Sequence, residues 1–276
     1  MTVPALPGVR SGMGPGGSIA TRIRDGLPPT LVFLGALASW QLLVVVFGIK
    51  QFILPAPLAI ADAWLTNLPD LWAAATYTVW EVVVGLVLGS VAGVLAGSLT
   101  ARFVSVRESL LPFAIAANSI PIIAFAPIMN NWFGIDQQIS KAMIAAIICF
   151  FPVMINTVRG LTSVDPASLE LMRSYAASDA QVFRLVRVPT ALPYLFIALR
   201  VATTLATIGA VVGEYFGAPH SSLGQYIVRY SSFLNFERSW AAIVFACAIG
   251  IGLYVLVVLV ERLVMPWHAS VRQHET

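Results

Sequence analysis

Charge is what this chain has least of. Only 11% of its 276 residues are Asp, Glu, Lys or Arg, against 58% hydrophobic residues and a mean hydropathy of +0.85. Soluble domains carry about 25% charged residues, so the deficit excludes an ordinary soluble domain and indicates an integral membrane protein. Cysteine is nearly absent as well. Cys149 and Cys247 both lie in apolar runs, which argues for two small core side chains rather than a structural disulfide. The three histidines, His220, His268 and His274, share no metal-ligand spacing, so no metal site is expected. No Ser/His/Asp or Cys/His arrangement is identifiable, and no G-x-x-x-x-G-K-S/T phosphate loop occurs. A net charge of +3 and a pI of about 9.1 would suit nucleic acid. The tendency of cytoplasmic loops to collect Lys and Arg explains that excess more simply.

What is present is long apolar sequence. A bilayer core about 30 Å thick needs about 20 apolar residues of helix. Six segments meet that length, at about residues 31–47, 73–99, 110–132, 142–158, 191–215 and 241–264. Irregular backbone cannot face lipid, so an all-α integral membrane fold with six transmembrane helices is expected. Residues 1–27 are rich in Gly, Pro and Ser and contain no signal-peptide core; they are expected to form a disordered cytoplasmic tail. Residues 28–266 then form one transmembrane domain, and 267–276 a second tail. With the N-terminus inside, eleven basic residues fall on the inner side and four, Lys50, Lys141, Arg229 and Arg238, on the outer. That places both termini in the cytoplasm. On the outer side, residues 54–72, with Trp64 and Trp72, suit a short interfacial helix. Residues 216–240, with Gly217, Pro219 and Gly224, suit an outer loop that covers a pore mouth.

The second segment carries Gly85, Gly89, Gly93 and Gly97 at every fourth position. Such a bare stripe lets helices approach closely in lipid. Packing within one subunit, a dimer contact and a pore lining all remain open. Glu81 is one step earlier on that stripe. Glu81, Arg200 and Glu214 are the intramembrane ionisable candidates. A Glu81–Arg200 pair is expected at similar depth, with contact to a transported solute or snorkelling as alternatives; Glu214 is expected at the interface. Asn118, Ser119, Asn130 and Asn131 in the third segment, and Thr203, Thr204 and Thr207 in the fifth, could line a polar path, as could Asn156. Helix–helix hydrogen bonding is the alternative for each. Asn118-x-x-Pro121 and Pro127 are expected to break the third segment and free backbone groups for that path.

Between the fourth and fifth segments lies a polar stretch, residues 159–193. It carries Arg159, Arg173, Arg184 and Arg187 among Asp165, Glu170 and Asp179. Asp165-Pro166 is a helix start and Ser178-x-x-Gln181 a capping box. Pro189 and Pro193 mark the return to the membrane. Two short helices with a bend near residues 176–178 are expected. Leu169, Met172 and Tyr175 would form one apolar face, and Val182, Phe183 and Val186 the other. The mixed charges suit a protein partner better than anionic lipid.

This stretch resembles the loop E-A-A-x3-G-x9-I-x-L-P of the permease subunits of binding-protein-dependent ABC importers. Glu170-Leu171-Met172, Ala176 at the glycine position and Val186-x-Val188-Pro189 keep its spacing. The departures are Leu171 and Met172 for two alanines, Ala176 for glycine, and two valines. N-S-I-P-I-I-A-F-A-P-I at 118–128, W-F-G at 132–134, F-F-P-V-M-I-N-T-V-R-G-L at 150–161 and L-P-Y-L-F-I-A-L-R-V-A at 192–202 look like the nitrate/sulfonate/taurine branch. E-L-M-R-S-Y-A-A-S at 170–178 and I-G-A-V-V-G-E-Y-F-G at 208–217 look closest to permeases for pyrimidine thiamine precursors or riboflavin.

The resemblance implies a type I importer permease fold with a coupling helix pair in that loop. Glu170, Arg173, Tyr175, Ala176 and Ser178 would be the coupling residues. It implies two permease subunits, as a homodimer, forming a pore in the bacterial cytoplasmic membrane. Two cytoplasmic ATPase subunits would hold ATP and Mg, and an external binding protein would deliver a small organic or anionic solute. No cofactor is expected on this chain, and it is not itself an enzyme. A self-sufficient secondary transporter is one alternative; it requires ion-coupling carboxylates at mid-membrane and inverted repeats. A membrane-embedded enzyme is the other; it requires a convergent catalytic set within the helices.

Overall fold

A computed structural model describes residues 19–218 and 222–266. Among these residues the regular structure is all helical, with no strand. In order the helices are α1 (Ile19–Val46), α2 (Pro57–Thr66), α3 (Leu68–Arg102), α4 (Val104–Ala117), α5 (Phe125–Phe133), α6 (Gln138–Thr162), α7 (Pro166–Ser174), α8 (Asp179–Val182), α9 (Val188–Tyr215), α10 (Leu223–Ser232) and α11 (Phe236–Val264). Four continuous helices are long and apolar enough to cross a membrane: α3, α6, Asp179–Tyr215 and α11. The first expected span is a shorter apolar stretch, Thr30–Val46, within α1. The third is two helices, α4 and α5. The expected tail over 1–27 is helical from Ile19 onwards; residues 1–18, the expected tail 267–276, Pro219 and the three histidines lie outside the described residues.

Local sequence explains these boundaries. Pro57 and Pro69 occupy the first turns of α2 and α3, where a missing N–H costs nothing. The 35 residues of α3 span about 52 Å, so this helix projects beyond the bilayer core. The α4–α5 break falls at residues 118–124 and comes from Pro121. Pro127 does not break anything, because it sits in the first turn of α5. The described residues of 216–240 are mostly helical rather than a loop. They contain α10 and the start of α11, with Ser222 Oγ accepting from Gln225 N to cap α10.

The core is the triple contact of α3, α6 and α9, with α6 the most buried of the spans. The glycine stripe of α3 lies against α6. A Cβ at Gly85 would stand 2.5 Å from Ala145 Cβ, and one at Gly89 2.3 Å from the Ala146 carbonyl oxygen. At Gly93 and Gly97 it would stand 2.8 Å from the carbonyl oxygens of Phe150 and Met154. The contacts advance in step along both helices, so α3 and α6 run parallel and the stripe packs within one subunit. α6 also meets α9, antiparallel, beside the same seam. Ala198, Ala202, Ala206 and Ala210 form a small-residue face there, and Cys149 Sγ donates to the Ala202 carbonyl at 3.3 Å.

The polar stretch forms an elbow. Asp165 caps α7 through Ala167 N, and Ser178 and Gln181 close a reciprocal capping box on α8. Between them Ala176 has φ +49°, the left-handed region that favours glycine. The expected second short helix does not stand apart. It runs through a π turn, Phe183–Arg187, into α9, making one helix of 37 residues. The Val188 N–H reaches back to the Phe183 carbonyl, a five-residue step that accommodates the N–H missing at Pro189. Pro193 also lies inside α9 rather than ending a helix.

Candidate functional site

The elbow is an exposed structure. No residue of α7 or α8 is buried. Glu170, Arg173, Tyr175, Ala176 and Ser178 are all exposed, along α7 and the bend that follows it. The expected apolar face of α7 is split. Leu169 and Met172 are half-buried, whereas Leu171 (56%) and Tyr175 (76%) stand in the open. On the second arm Val182 and Val186 are half-buried and Phe183 is exposed. Arg187 Nη1 donates to the Leu161 carbonyl at 3.2 Å and so ties the return of the elbow to the end of α6.

Inside the bundle the expected ion pair is wrong. Arg200 pairs with Glu261 of α11, not with Glu81; its Nε donates to Glu261 Oε2 at 2.8 Å and its Nη2 to the same oxygen. Depth is the reason. Glu81 packs at the level of Glu214, and Glu214 lies 14 residues beyond Arg200 on α9, about 21 Å along the axis. Glu261 was not singled out in the sequence because it sits near the end of its apolar run. Removing one member of a buried pair strands the other charge. Glu261→Ala is therefore expected to cost about 2–3 kcal/mol, reduced because the Arg200 side chain is 28% exposed. The double change Arg200→Leu/Glu261→Leu is expected to cost less than either single change, measured as thermal unfolding in detergent.

Glu214 stands one residue before the end of α9, near the outer end as expected, but it faces protein. It is fully buried. Its Oε1 accepts from Thr78 Oγ1 at 2.6 Å and its Oε2 from Gly224 N at 2.7 Å. Lys141, expected in an outer loop, is also fully buried, and its Nζ donates to the Ile135 carbonyl. Glu81 completes this group and is fully buried too. Outside the spans, burial and then the neighbouring Tyr230 push the Tyr226 hydroxyl on α10 up to about 12, which keeps it neutral.

The polar path candidates separate into two sets. Asn118, Ser119 and Asn131 are exposed around the α4–α5 break. Asn130 is half-buried, with Nδ2 donating to the Phe216 carbonyl at 3.4 Å. Thr203 and Thr207 are buried and donate to their own helix, at the carbonyls of Arg200 (2.7 Å) and Thr203 (3.0 Å). Asn156 likewise bonds the Pro152 carbonyl. Thr204 is exposed instead. With Thr207, Cys247 and Tyr254 it lines a mostly aliphatic cavity of 580 Å³ between α9, α10 and α11. Among the described residues no cluster of His, Cys, Asp and Glu could hold a metal ion.

Comparison with known proteins places this architecture. Residues 85–266 match the family described as binding-protein-dependent transport system inner membrane component. The riboflavin transport system permease protein RibX of Chloroflexus aurantiacus is 38% identical over 247 residues, 89% of this chain and 91% of that protein. The formylaminopyrimidine transport permease protein ThiX of Halalkalibacterium halodurans is 32% identical over 254 residues, 89% and 98% of the two chains. Among solved structures, the inward-facing MetNI methionine ABC transporter superposes with a TM-score of 0.61 at 19% identity, over 72% of this chain and 98% of that one. At that identity the likeness speaks for the fold alone. The chain is a multi-pass membrane protein and belongs to the binding-protein-dependent transport system inner membrane components, the permease subunits of ABC importers.

Proposed function

We propose that two copies of this chain form the pore of an ATP-driven importer in the bacterial cytoplasmic membrane, with both termini in the cytoplasm. The solute favoured is a pyrimidine precursor of thiamine or riboflavin; sulfonate, taurine or nitrate comes next. The names borne by the relatives support that order, and the protein that selects the solute is a separate external one. The observation that carries the reading is the elbow. It is capped at both arms, set by a left-handed Ala176, and leaves Tyr175 and Leu171 uncovered. A protein surface with exposed aromatic and aliphatic anchors beside mixed charges suits a cleft on a partner.

The partner would be an ATPase subunit, which would hold ATP and Mg. Closure of two such subunits would displace both elbows. The continuous helix from Asp179 to Tyr215 gives that displacement a stiff lever into the bundle. α9 would then shift between arrangements open to one side and to the other.

Reconstitution in vesicles tests this. Uptake is expected only with the chain, an ATPase subunit, ATP and the external binding protein together. Mass spectrometry of ligand released from the binding protein then names the solute. Solute accumulation by the chain alone, driven by an ion gradient, would overturn the proposal.

A further inference from the structure

Three ionisable side chains meet where α10 crosses the bundle, and transport as proposed above gives them no task. Glu81 on α3, Lys141 on α6 and Glu214 on α9 each have zero exposure. Thr78, three residues before Glu81 on the same face of α3, donates its hydroxyl to Glu214. The stem of Lys141 packs on Gly213, where an added Cβ would stand 3.3 Å from Lys141 Cγ. One turn beyond Glu81, Gly85 lies on Ala142 of α6. These contacts set Glu81 among Thr78, Glu214 and Lys141, with the two carboxyl groups within hydrogen-bonding reach of each other. Asp136, just before α6, is a further charged neighbour of Lys141.

The hydrogen count does not close. Glu214 receives two donors, Thr78 Oγ1 and Gly224 N. Lys141 directs Nζ to the Ile135 carbonyl. Neither oxygen of Glu81 receives a donor from any described group, although both are buried. An ionised carboxylate without a donor in the protein interior is very costly. Two carboxylates against one ammonium would also leave a net negative charge in the protein interior. One proton removes both problems. It supplies the donor missing between the carboxyls and brings the three groups to neutrality. Glu214 already accepts from two sides, so the proton resides on Glu81, whose O–H then donates to Glu214.

We propose that Glu81 and Glu214 hold one proton between them, and that this pair is the catch fastening α10 across the bundle. The free amides of α10 show what is fastened. Leu223 N donates to Thr78 Oγ1 at 3.1 Å and Gly224 N to Glu214 Oε2 at 2.7 Å; the Gln225 side chain donates to the Glu214 carbonyl at 2.7 Å. The first turn of α10 is therefore capped by side chains of α3 and α9. Gly224 is required at this approach, since a Cβ there would stand 2.5 Å from Glu214 Cβ. Loss of the proton would set a second negative charge against the first and drive Glu214 off the amides of α10.

Infrared spectroscopy of the full chain in lipid nanodiscs, with 13C-labelled glutamate, tests the proton directly. A protonated carboxylic C=O band is expected at neutral pH and is expected to vanish in Glu81→Gln. That variant should fold and bind lipid like the parent, because a neutral carboxamide replaces a neutral acid. Glu214→Gln, which replaces one of two acceptor oxygens with an NH2 donor facing groups that themselves donate, should speed hydrogen exchange at Leu223 and Gly224 by about tenfold or more. Glu81→Gln should leave that exchange within about twofold. Absence of the band in the parent, its persistence in Glu81→Gln, or failure of Glu81→Gln to fold would each overturn the proposal. So would a band that appears only when choline replaces sodium in the buffer, since a bound cation would then hold the charge. None of these results depends on which solute is carried.

Discussion

Gly89→Ala is expected to prevent the chain from accumulating as folded protein. The new Cβ would stand 2.3 Å from the Ala146 carbonyl oxygen, 2.9 Å from Cys149 Cβ and 3.0 Å from the Ala146 carbonyl carbon. Two of those neighbours are backbone in the middle of α6 and cannot rotate away. Relief requires α3 and α6 to separate along a seam that also includes Gly85, Gly93 and Gly97. Overpacking a tight interior costs about 1–3 kcal/mol and more where backbone must move, and this site belongs to the second case. Lipid offers no hydrophobic force to restore the seam, because lipid tails are as apolar as the helices. Gly252→Ala is the control; it meets nothing within 4 Å on α11 and gains about 1 kcal/mol of helix propensity at most. Monodisperse yield in detergent and thermal unfolding separate the two. Equal midpoints for Gly89→Ala and Gly252→Ala would show that the stripe does not set the packing.

The same stripe shows how much the sequence discloses. Its four-residue spacing reveals a close helix contact but not the partner, because α6 offers no matching pattern; it contributes Ala142, Ala145 and Ala146 and its own backbone. Capping chemistry was readable in the elbow, where Asp165-Pro166 and Ser178-x-x-Gln181 mark real helix starts. The same signature, Ser222 followed by Gln225, opens α10, yet aromatic and glycine content disguised that helix as a loop. Proline was the least reliable guide. Pro121 breaks a helix, Pro127 begins one, and Pro189 is absorbed by a π turn whose hydrogen bonds no local pattern announces. Buried charge was legible as chemistry but not as pairing. Which of Glu81, Lys141, Arg200, Glu214 and Glu261 meet depends on how far each helix is displaced along its axis, and apolar run lengths do not fix that to within a turn. Lys141 illustrates the error: a single cation at the edge of an apolar run reads as a loop residue, but its stem lies on Gly213 and its charge is turned inward.

The elbow should respond to mutation in the opposite sense from the stripe. Glu170 and Leu171 on α7, and Tyr175 directly after it, are exposed, so changing them should barely alter the fold. Substitutions at such surface positions usually move stability by less than about 0.5 kcal/mol. Their effect is expected in transport. An aromatic anchor at the centre of a protein interface is worth about 2 kcal/mol or more on truncation. Tyr175→Ala is therefore expected to weaken capture of the ATPase subunit by about thirtyfold, at 1.4 kcal/mol per factor of ten. Leu171→Asp should act similarly by placing a charge where an apolar side chain is presented. Glu170→Lys should lower uptake while membrane abundance stays at the parent level. Met172→Asp supplies the contrast, because Met172 is half-buried beneath the same helix; it should lower the unfolding midpoint before it lowers coupling. The decisive measurement is the ratio of solute taken up to chain present in the membrane, read beside the unfolding midpoint. If Tyr175→Ala and Leu171→Asp leave both quantities unchanged, α7 is not where the ATPase acts. If both quantities fall together, the elbow supports the fold and does not transmit force.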